Sequence, residues 1–265
     1  MEFARQNGES AEMTGFLPIL LANLVPLGGF IWFDWYIREL LVIYWIEIVV
    51  TLVLYSGAAL FAERRVVLEG RTMFLPGIGR DTELDESKWD TDPDGIRLAG
   101  WLPPLYRRNV GLVAWSLVWG VGFSALPLAL YRSTIESAIT PAVVGSALIM
   151  AVSQLARVRR EFFGNHEYET MSVHMVLEIP CRIIAFMAIW MMLLHVAGMF
   201  FLVGAVVMFE DIARSVLTRN VIEICYVTAV LLGKFTVEWS QFRVNHAENP
   251  GRIADWFTPQ DPLAE

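Results

Sequence analysis

Lysine and cysteine are both scarce in this chain of 265 residues, and each scarcity limits the kinds of structure and partner to be considered. The two cysteines, Cys181 and Cys225, fall in or beside apolar stretches without metal-ligand spacing, so we expect packing residues and no disulfide framework. Only Lys88 and Lys234 are lysines, and the net charge is −8, which favours no nucleic-acid partner. Few lysines among many acids fit a halophile, although a GC-rich genome would also favour arginine.

Catalytic and cofactor motifs are missing as well. The sequence contains no GxxxxGK[ST], GxSxG or glycine-rich dinucleotide motif. HEYET (His166–Thr170) differs from the zinc-protease motif HExxH because Thr170 stands at the second ligand position. His166 and His174 share a face only if their segment is helical, so they are a weak metal candidate, with exposed imidazoles as the ordinary alternative. We therefore predict no cofactor and favour a protein that is not an enzyme.

Long apolar blocks dominate what is present. Hydrophobic residues make up 55% of the chain, charged residues only 18%, and the mean hydropathy is +0.49. Blocks of this kind predict an all-α fold, a polytopic bundle of about six transmembrane helices. The spans are expected at about 16–33, 40–61, 110–131, 139–156, 181–209 and 220–239. The fifth exceeds the ~20 residues that cross a bilayer. It could be one tilted helix or two helices broken near Gly198 or Gly204, and we favour one.

The distribution of cations predicts the orientation. Outside the spans, 14 cations fall on the side that holds both termini, and four (Arg38, Arg132, Arg214, Arg219) fall on the other. The positive-inside rule then places both termini in the cytoplasm of a multi-pass protein of the cell membrane. The acidic segment 62–109 becomes a cytoplasmic loop, and residues 240–265 become a cytoplasmic tail.

Three stretches resemble a known family. They are NLVPLGGFIWFDWYIRELLVIYWIEIVV (Asn23–Val50), FFGNHEYETMSVHMVLEIPCRII (Phe162–Ile184) and LLGKFTVEWSQFRVNH (Leu231–His246). Together they resemble prokaryotic polytopic membrane proteins grouped as domain of unknown function 6498. The motif Tyr44-Trp45-x-Glu47, the pair Glu167-Tyr168, and Lys234 with Glu238 correspond to features of that family, whereas Ile48 departs from its usual polar residue. The family has no established activity, so the resemblance implies topology and no mechanism.

Ionisable residues inside the predicted spans are the candidate site residues, because a charge at the bilayer centre costs about 2.5–3.5 kcal/mol. Glu47 is expected roughly 10 Å deep and Lys234 roughly 20 Å deep, both from the outer side, with His195 near the middle. Lys234 and Glu238 have the i,i+4 spacing of an ion pair. By depth, His195 is the better partner for Glu47, and Glu223 shares its half of the membrane. Asn23, Tyr44 and Trp45 could instead hydrogen-bond Glu47.

Two classes of function fit these residues. In the favoured one, the protein is a membrane scaffold or partner subunit whose polar residues hold helices together, and its partners are lipid and other membrane proteins or itself. The alternative is a small transporter that handles protons or cations through Glu47. An intramembrane enzyme ranks third, because the sequence shows no nucleophile–base or metal set.

Overall fold

A computed structural model describes residues 37–69, 71, 75, 89, 95–130, 132–208, 219–246 and 251–263. Helices make up most of these residues, so the fold is all-α, as predicted. They are α1 (Ile37–Ala59), α2 (Val110–Leu130), α3 (Arg132–Ala138), α4 (Pro141–Val158), α5 (Glu167–Thr170), α6 (Val173–Met208), α7 (Arg219–His246) and α8 (Arg252–Phe257). A two-stranded antiparallel sheet joins β1 (Gly95–Ile96) to β2 (Leu105–Tyr106).

Among the described residues, three stretches of helix are long and apolar enough to cross a membrane: Arg38–Ala59, Pro141–Phe163 and Val173–Met208. They overlap the second, fourth and fifth predicted spans, while the third and sixth overlap α2 and α7. The first predicted span, with Asn23, lies outside the described residues.

Helix α6 is a single helix of 36 residues, so the fifth apolar block is not broken near Gly198 or Gly204. It begins at Val173, eight residues before the start expected at residue 181. The polar residues and Pro180 of VHMVLEIP made this part unsuitable for lipid, but it is buried in protein. At 1.5 Å per residue α6 is about 54 Å long, longer than the ~30 Å hydrocarbon core of a bilayer.

The chain divides into two compact units, one of residues 41–182 and 259–265 and the other of residues 1–40 and 183–258. The first, here the α1–α5 unit, contains the main hydrophobic core. Alanine, valine, leucine and phenylalanine side chains from α1, α2, α4, the turn that follows α4 and the start of α6 form it, among them Ala58, Ala59, Leu112, Val113, Val158, Phe162, Val173, Val176 and Leu177. Leu75 and Trp89 are also buried there, so the acidic 62–109 segment contributes residues to this core.

Helices α1 and α2 pack closely in antiparallel directions. The indole N–H of Trp45 donates to the carbonyl of Ser124 at 2.6 Å. A Cβ built on Gly120 would come within 2.5 Å of a Leu52 methyl carbon, so a glycine at this position permits the close approach. At the other end of α1, the Asn109 amide donates to the carbonyls of Ala59 (3.1 Å) and Ala62 (2.8 Å). The Ala59 carbonyl is one of those that a helix end leaves without intrahelical partners, and the Ala62 carbonyl lies in the turn that follows.

Helix α4 begins and ends with distinct local signals. Thr140 is the N-cap, with Pro141 in the first turn, and the Thr140 hydroxyl accepts from the N–H of Val143 at 3.3 Å. At the other end, Arg159–Phe163 forms a π-helical turn, in which the N–H of Gly164 donates to the Arg159 carbonyl at 3.0 Å. A Cβ at Gly164 would lie 2.3 Å from the Arg160 carbonyl oxygen, so the tight exit from this turn excludes side chains.

The other unit, here the α7–α8 unit, pairs the later part of α6 with α7 and α8. The Trp190 indole donates to the Ala229 carbonyl at 2.9 Å. A Cβ on Gly233 would approach the Trp190 ring to 2.5 Å. Phe186 stacks on Trp190 and makes an edge contact with Phe257 of α8. Aromatic side chains therefore join all three helices of this unit.

Candidate functional site: a buried carboxylate bound by two arginines

Glu178 lies in the second turn of α6 with its side chain 1% exposed. The residues around it on the helix, from Ser172 to Leu177, are all buried as well. Water cannot solvate a carboxylate in such a place, and a buried charge is stable only when ion pairs and hydrogen bonds replace its hydration. The neighbours of Glu178 supply both.

Arg71 is the first of these neighbours and comes from the acidic segment, 107 residues earlier in the chain. Its Nη1 lies 3.1 Å from Oε2 of Glu178, and its side chain is 1% exposed. Its Nε donates to the Val67 carbonyl at 2.7 Å, which fixes the plane of the guanidinium. The pair is therefore a buried salt bridge between a loop residue and α6.

Arg182 supplies the second cation from one turn further along α6. Its Nε donates to Oε1 of Glu178 at 2.9 Å, and its Nη2 contacts the same oxygen. The spacing is i,i+4, which brings the two side chains together on one face of the helix. The structure thus places the guanidinium of Arg182 on the Glu178 carboxylate.

The segment 259–263, here the tail segment, completes the cluster. The N–H of Gln260 donates to Oε2 of Glu178 at 3.3 Å, and the Gln260 carbonyl accepts from Nη1 of Arg71 at 2.8 Å. The next residue, Asp261, forms a salt bridge with Arg64 at 2.7 Å. The tail segment thus covers the Arg71–Glu178 pair through its backbone and is held in place by an acidic side chain.

Burial and the pairing of opposite charges determine the pKa values of the charged groups around the tail segment. Burial lowers the pKa of Arg71, and the nearby carboxylates of Glu178 and Asp261 oppose that effect. For Asp261, burial raises the pKa, but the hydrogen bond and the charge of Arg64 outweigh it, so the pKa lies below its usual range. The pairing with Arg64 thus favours the charged carboxylate of Asp261, and arginine side chains stay protonated in proteins.

His174 also faces the cluster and is fully buried. Its Nδ1 lies 3.7 Å from Oε2 of Glu178, too far for a hydrogen bond, and neither ring nitrogen has a hydrogen-bond partner among the described residues. His166, by contrast, is exposed and has a left-handed backbone conformation. Its ring contacts Tyr168 and Glu169. The described part of the chain contains no group of three His, Cys, Asp or Glu side chains that could hold a metal ion.

Glu47, the acid that the sequence singled out, lies half-buried on α1. Its Oε1 accepts from the Nε2 of Gln154 on α4 at 3.3 Å. The sequence offered His195, Asn23, Tyr44 or Trp45 as partners and missed Gln154. Tyr44 is buried on the same helix, and the Trp45 indole bonds to α2. Together, Trp45 and Glu47 connect α1 to two neighbouring helices.

The remaining predicted residues lie in the α7–α8 unit. Nζ of Lys234 is 3.9 Å from Oε1 of Glu238, in keeping with their i,i+4 spacing, and Glu223 is half-buried on α7. The Nδ1 of His195 lies 2.7 Å from the Met191 carbonyl, which can only accept, so this nitrogen carries the proton. Its Nε2 then accepts from the Tyr226 hydroxyl at 3.2 Å when the ring is neutral. These contacts tie α6 to α7.

Comparison with known proteins gives one match. The family model described as a family of unknown function (DUF6498) matches residues 6–254. That range contains Arg71, His174, Glu178 and Arg182 but ends before the tail segment. No curated protein and no solved structure matches the chain significantly.

Proposed function

Because the chain belongs to DUF6498, a family of unknown function, we propose its role from its own geometry. The protein is a multi-pass membrane protein that acts as a scaffold or as a partner subunit, and it is not an enzyme. Its polar groups hold elements of the protein together, and its partners are lipid and other membrane proteins or a second copy of itself.

The observation that carries this proposal is the pairing of Glu178. Two guanidinium groups and a backbone N–H occupy both of its oxygens, and the side chain is 1% exposed. A group engaged in this way contributes to a fixed structure, whereas a catalytic or transporting acid needs access to its substrate. Glu47 adds support, since its hydrogen bond to Gln154 links α1 to α4.

Exposed apolar side chains support the location in the membrane. The later part of α6 exposes large hydrophobic residues along much of its length, including Met199, Phe200, Val203 and Val207. An apolar surface this long fits a lipid environment better than water. With six spans and both termini in the cytoplasm, the Glu178 cluster lies at the cytoplasmic end of α6.

The orientation can be tested by labelling single cysteines. Leu98 and Leu263 are exposed, so each can be changed to cysteine in a chain that lacks Cys225 and in which Cys181 is replaced by alanine. In intact cells a membrane-impermeant maleimide should label neither site, and it should label both after the membrane is permeabilised. Labelling of either site in intact cells would overturn the proposed orientation.

A transporter that handles protons or cations is the second candidate, because Glu47 is only half-buried. Proteoliposomes that contain a pH-sensitive dye distinguish the two functions. The scaffold proposal expects equal proton flux for the native protein and the Glu47→Gln variant. A flux that needs Glu47 would refute the scaffold and favour the transporter.

A further inference from the structure

One face of α4 carries a continuous exposed stripe. Val144, Leu148, Val152 and Leu155 follow each other at intervals of three or four residues, which places them on one side of the helix. Leu148 is 63% exposed and Val152 is 67% exposed. Their side chains therefore form an unbroken apolar surface parallel to the helix axis.

This stripe ends in exposed cations. Arg159 follows Leu155 by one turn, and its N–H still bonds to the Leu155 carbonyl, so it continues the same face. Arg160, next in the chain, has a side chain that is 75% exposed and contacts the Glu161 carboxylate at 3.3 Å. Among the described residues no acidic side chain forms an ion pair with Arg159. One end of the stripe therefore carries a net positive charge, although the protein as a whole has a net charge of −8.

The dimensions of the stripe match one leaflet of a bilayer. From Leu148 to Arg159 the helix rises roughly 16 Å at 1.5 Å per residue. Half of the ~30 Å hydrocarbon core is about the same length. The apolar side chains therefore span the depth of one layer of acyl chains, and the arginines reach the level of the phosphates.

We propose that this face of α4 binds an anionic phospholipid, with the phosphate at Arg159 and Arg160 and an acyl chain along Leu148, Val152 and Leu155. The inference rests on the proposed membrane location. Charge complementarity selects an anionic headgroup, and the apolar stripe selects a lipid over a free phosphate ion. A zwitterionic lipid lacks the net charge that the two guanidinium groups favour.

Native mass spectrometry of the full chain released from nanodiscs tests this proposal. The discs contain phosphatidylcholine with increasing phosphatidylglycerol. The native protein should retain phosphatidylglycerol in preference to phosphatidylcholine, and the Arg159→Gln/Arg160→Gln variant should lose roughly tenfold in apparent affinity. The matched control is Arg97→Gln/Arg252→Gln, which removes two exposed arginines elsewhere and should leave the preference unchanged.

Three results would overturn the site. One is equal retention by the Arg159/Arg160 variant, and another is an equal loss in the control variant. The third is equally tight binding of soluble glycerol phosphate, which would identify a site for a free anion. If the chain fails to enter nanodiscs at all, the proposed membrane function itself fails, so the two failures are distinguishable.

Discussion

The carboxylates of Glu178 and Glu47 belong to the same compact unit but have opposite surroundings. Glu178 is fully enclosed and contacts two arginines and a backbone N–H. Glu47 is half-buried and accepts from the amide of Gln154. Removing a partner from a buried ion pair leaves an uncompensated charge, whereas a half-buried acid with a neutral partner tolerates substitution better. The acid that looks unusual in the sequence is therefore not the one on which the fold depends most.

The largest effect is expected from Glu178→Ala, which leaves two buried arginines without their anion. Loss of one partner from such a pair costs about 3–5 kcal/mol. The thermal midpoint of the purified protein in mild detergent measures this loss. Glu223→Ala is a suitable control, because Glu223 is a half-buried acid in the other unit. If both variants unfolded at the native midpoint, Glu178 would have no special role.

A double-mutant cycle on Arg71 and Glu178 measures how strongly the loop is coupled to α6. We expect the double alanine variant to lose less stability than the sum of the two single variants, with a coupling of about 1–3 kcal/mol. The reason is that removing both charges leaves neither one buried alone. Additive losses in the same unfolding measurement would mean that the 3.1 Å contact contributes no energy of its own.

The tail segment should respond to acid. Because the folded-state pKa of Asp261 is depressed, the pair with Arg64 stabilises the fold fully above the unfolded pKa near 3.9, and its contribution is lost as the pH falls through the folded pKa. A partly exposed pair of this kind contributes about 1 kcal/mol or less. The protection factors for hydrogen exchange at Gln260 and Leu263, which are corrected for the intrinsic exchange rate at each pH, should therefore fall below about pH 4. Asp261→Asn should show the lower protection already at pH 7, and protection equal to that of the native protein would contradict the assignment.

The smallest effect is expected at Glu47. Glu47→Gln keeps the size of the side chain and an oxygen that can accept from Gln154, so stability should change by roughly 0.5 kcal/mol or less. Glu47→Leu removes the acceptor and leaves the Gln154 amide without this bond, so it should cost more. A loss for Glu47→Gln as large as that for Glu178→Ala would erase the contrast between the two acids.

Local patterns predicted the helices and the local pairs. Apolar blocks identified α1, α2, α4, α6 and α7, and i,i+4 spacing identified Lys234 with Glu238. Contacts between distant segments were missed, because Arg71 and Glu178 are 107 residues apart and Glu47 and Gln154 are also 107 apart. Neither pair has a spacing that reveals it. His174 was noticed only as a weak metal candidate, and the fold alone shows that His174 and Arg182 lie beside one carboxylate.

The early start of α6 was missed for a related reason. His174, Glu178 and Pro180 are unfavourable in lipid, so the sequence placed the start of the span after them. Burial against Val66, Leu75 and Phe162 provides a different apolar surrounding, one made by the protein. A helical turn that carries charges has a low hydropathy whether it is buried in protein or exposed to water. The hydropathy pattern therefore does not distinguish the two cases.

The tail segment also imposes an order on biosynthesis. Gln260 is added to the growing chain 82 residues after Glu178, and it bonds to both Glu178 and Arg71. Until the ribosome has made it, the carboxylate lacks one N–H donor and Arg71 lacks one acceptor. The α1–α5 unit therefore cannot reach its final hydrogen bonding before Gln260 has been synthesised. Its assembly is completed only after α7 and α8 have been synthesised.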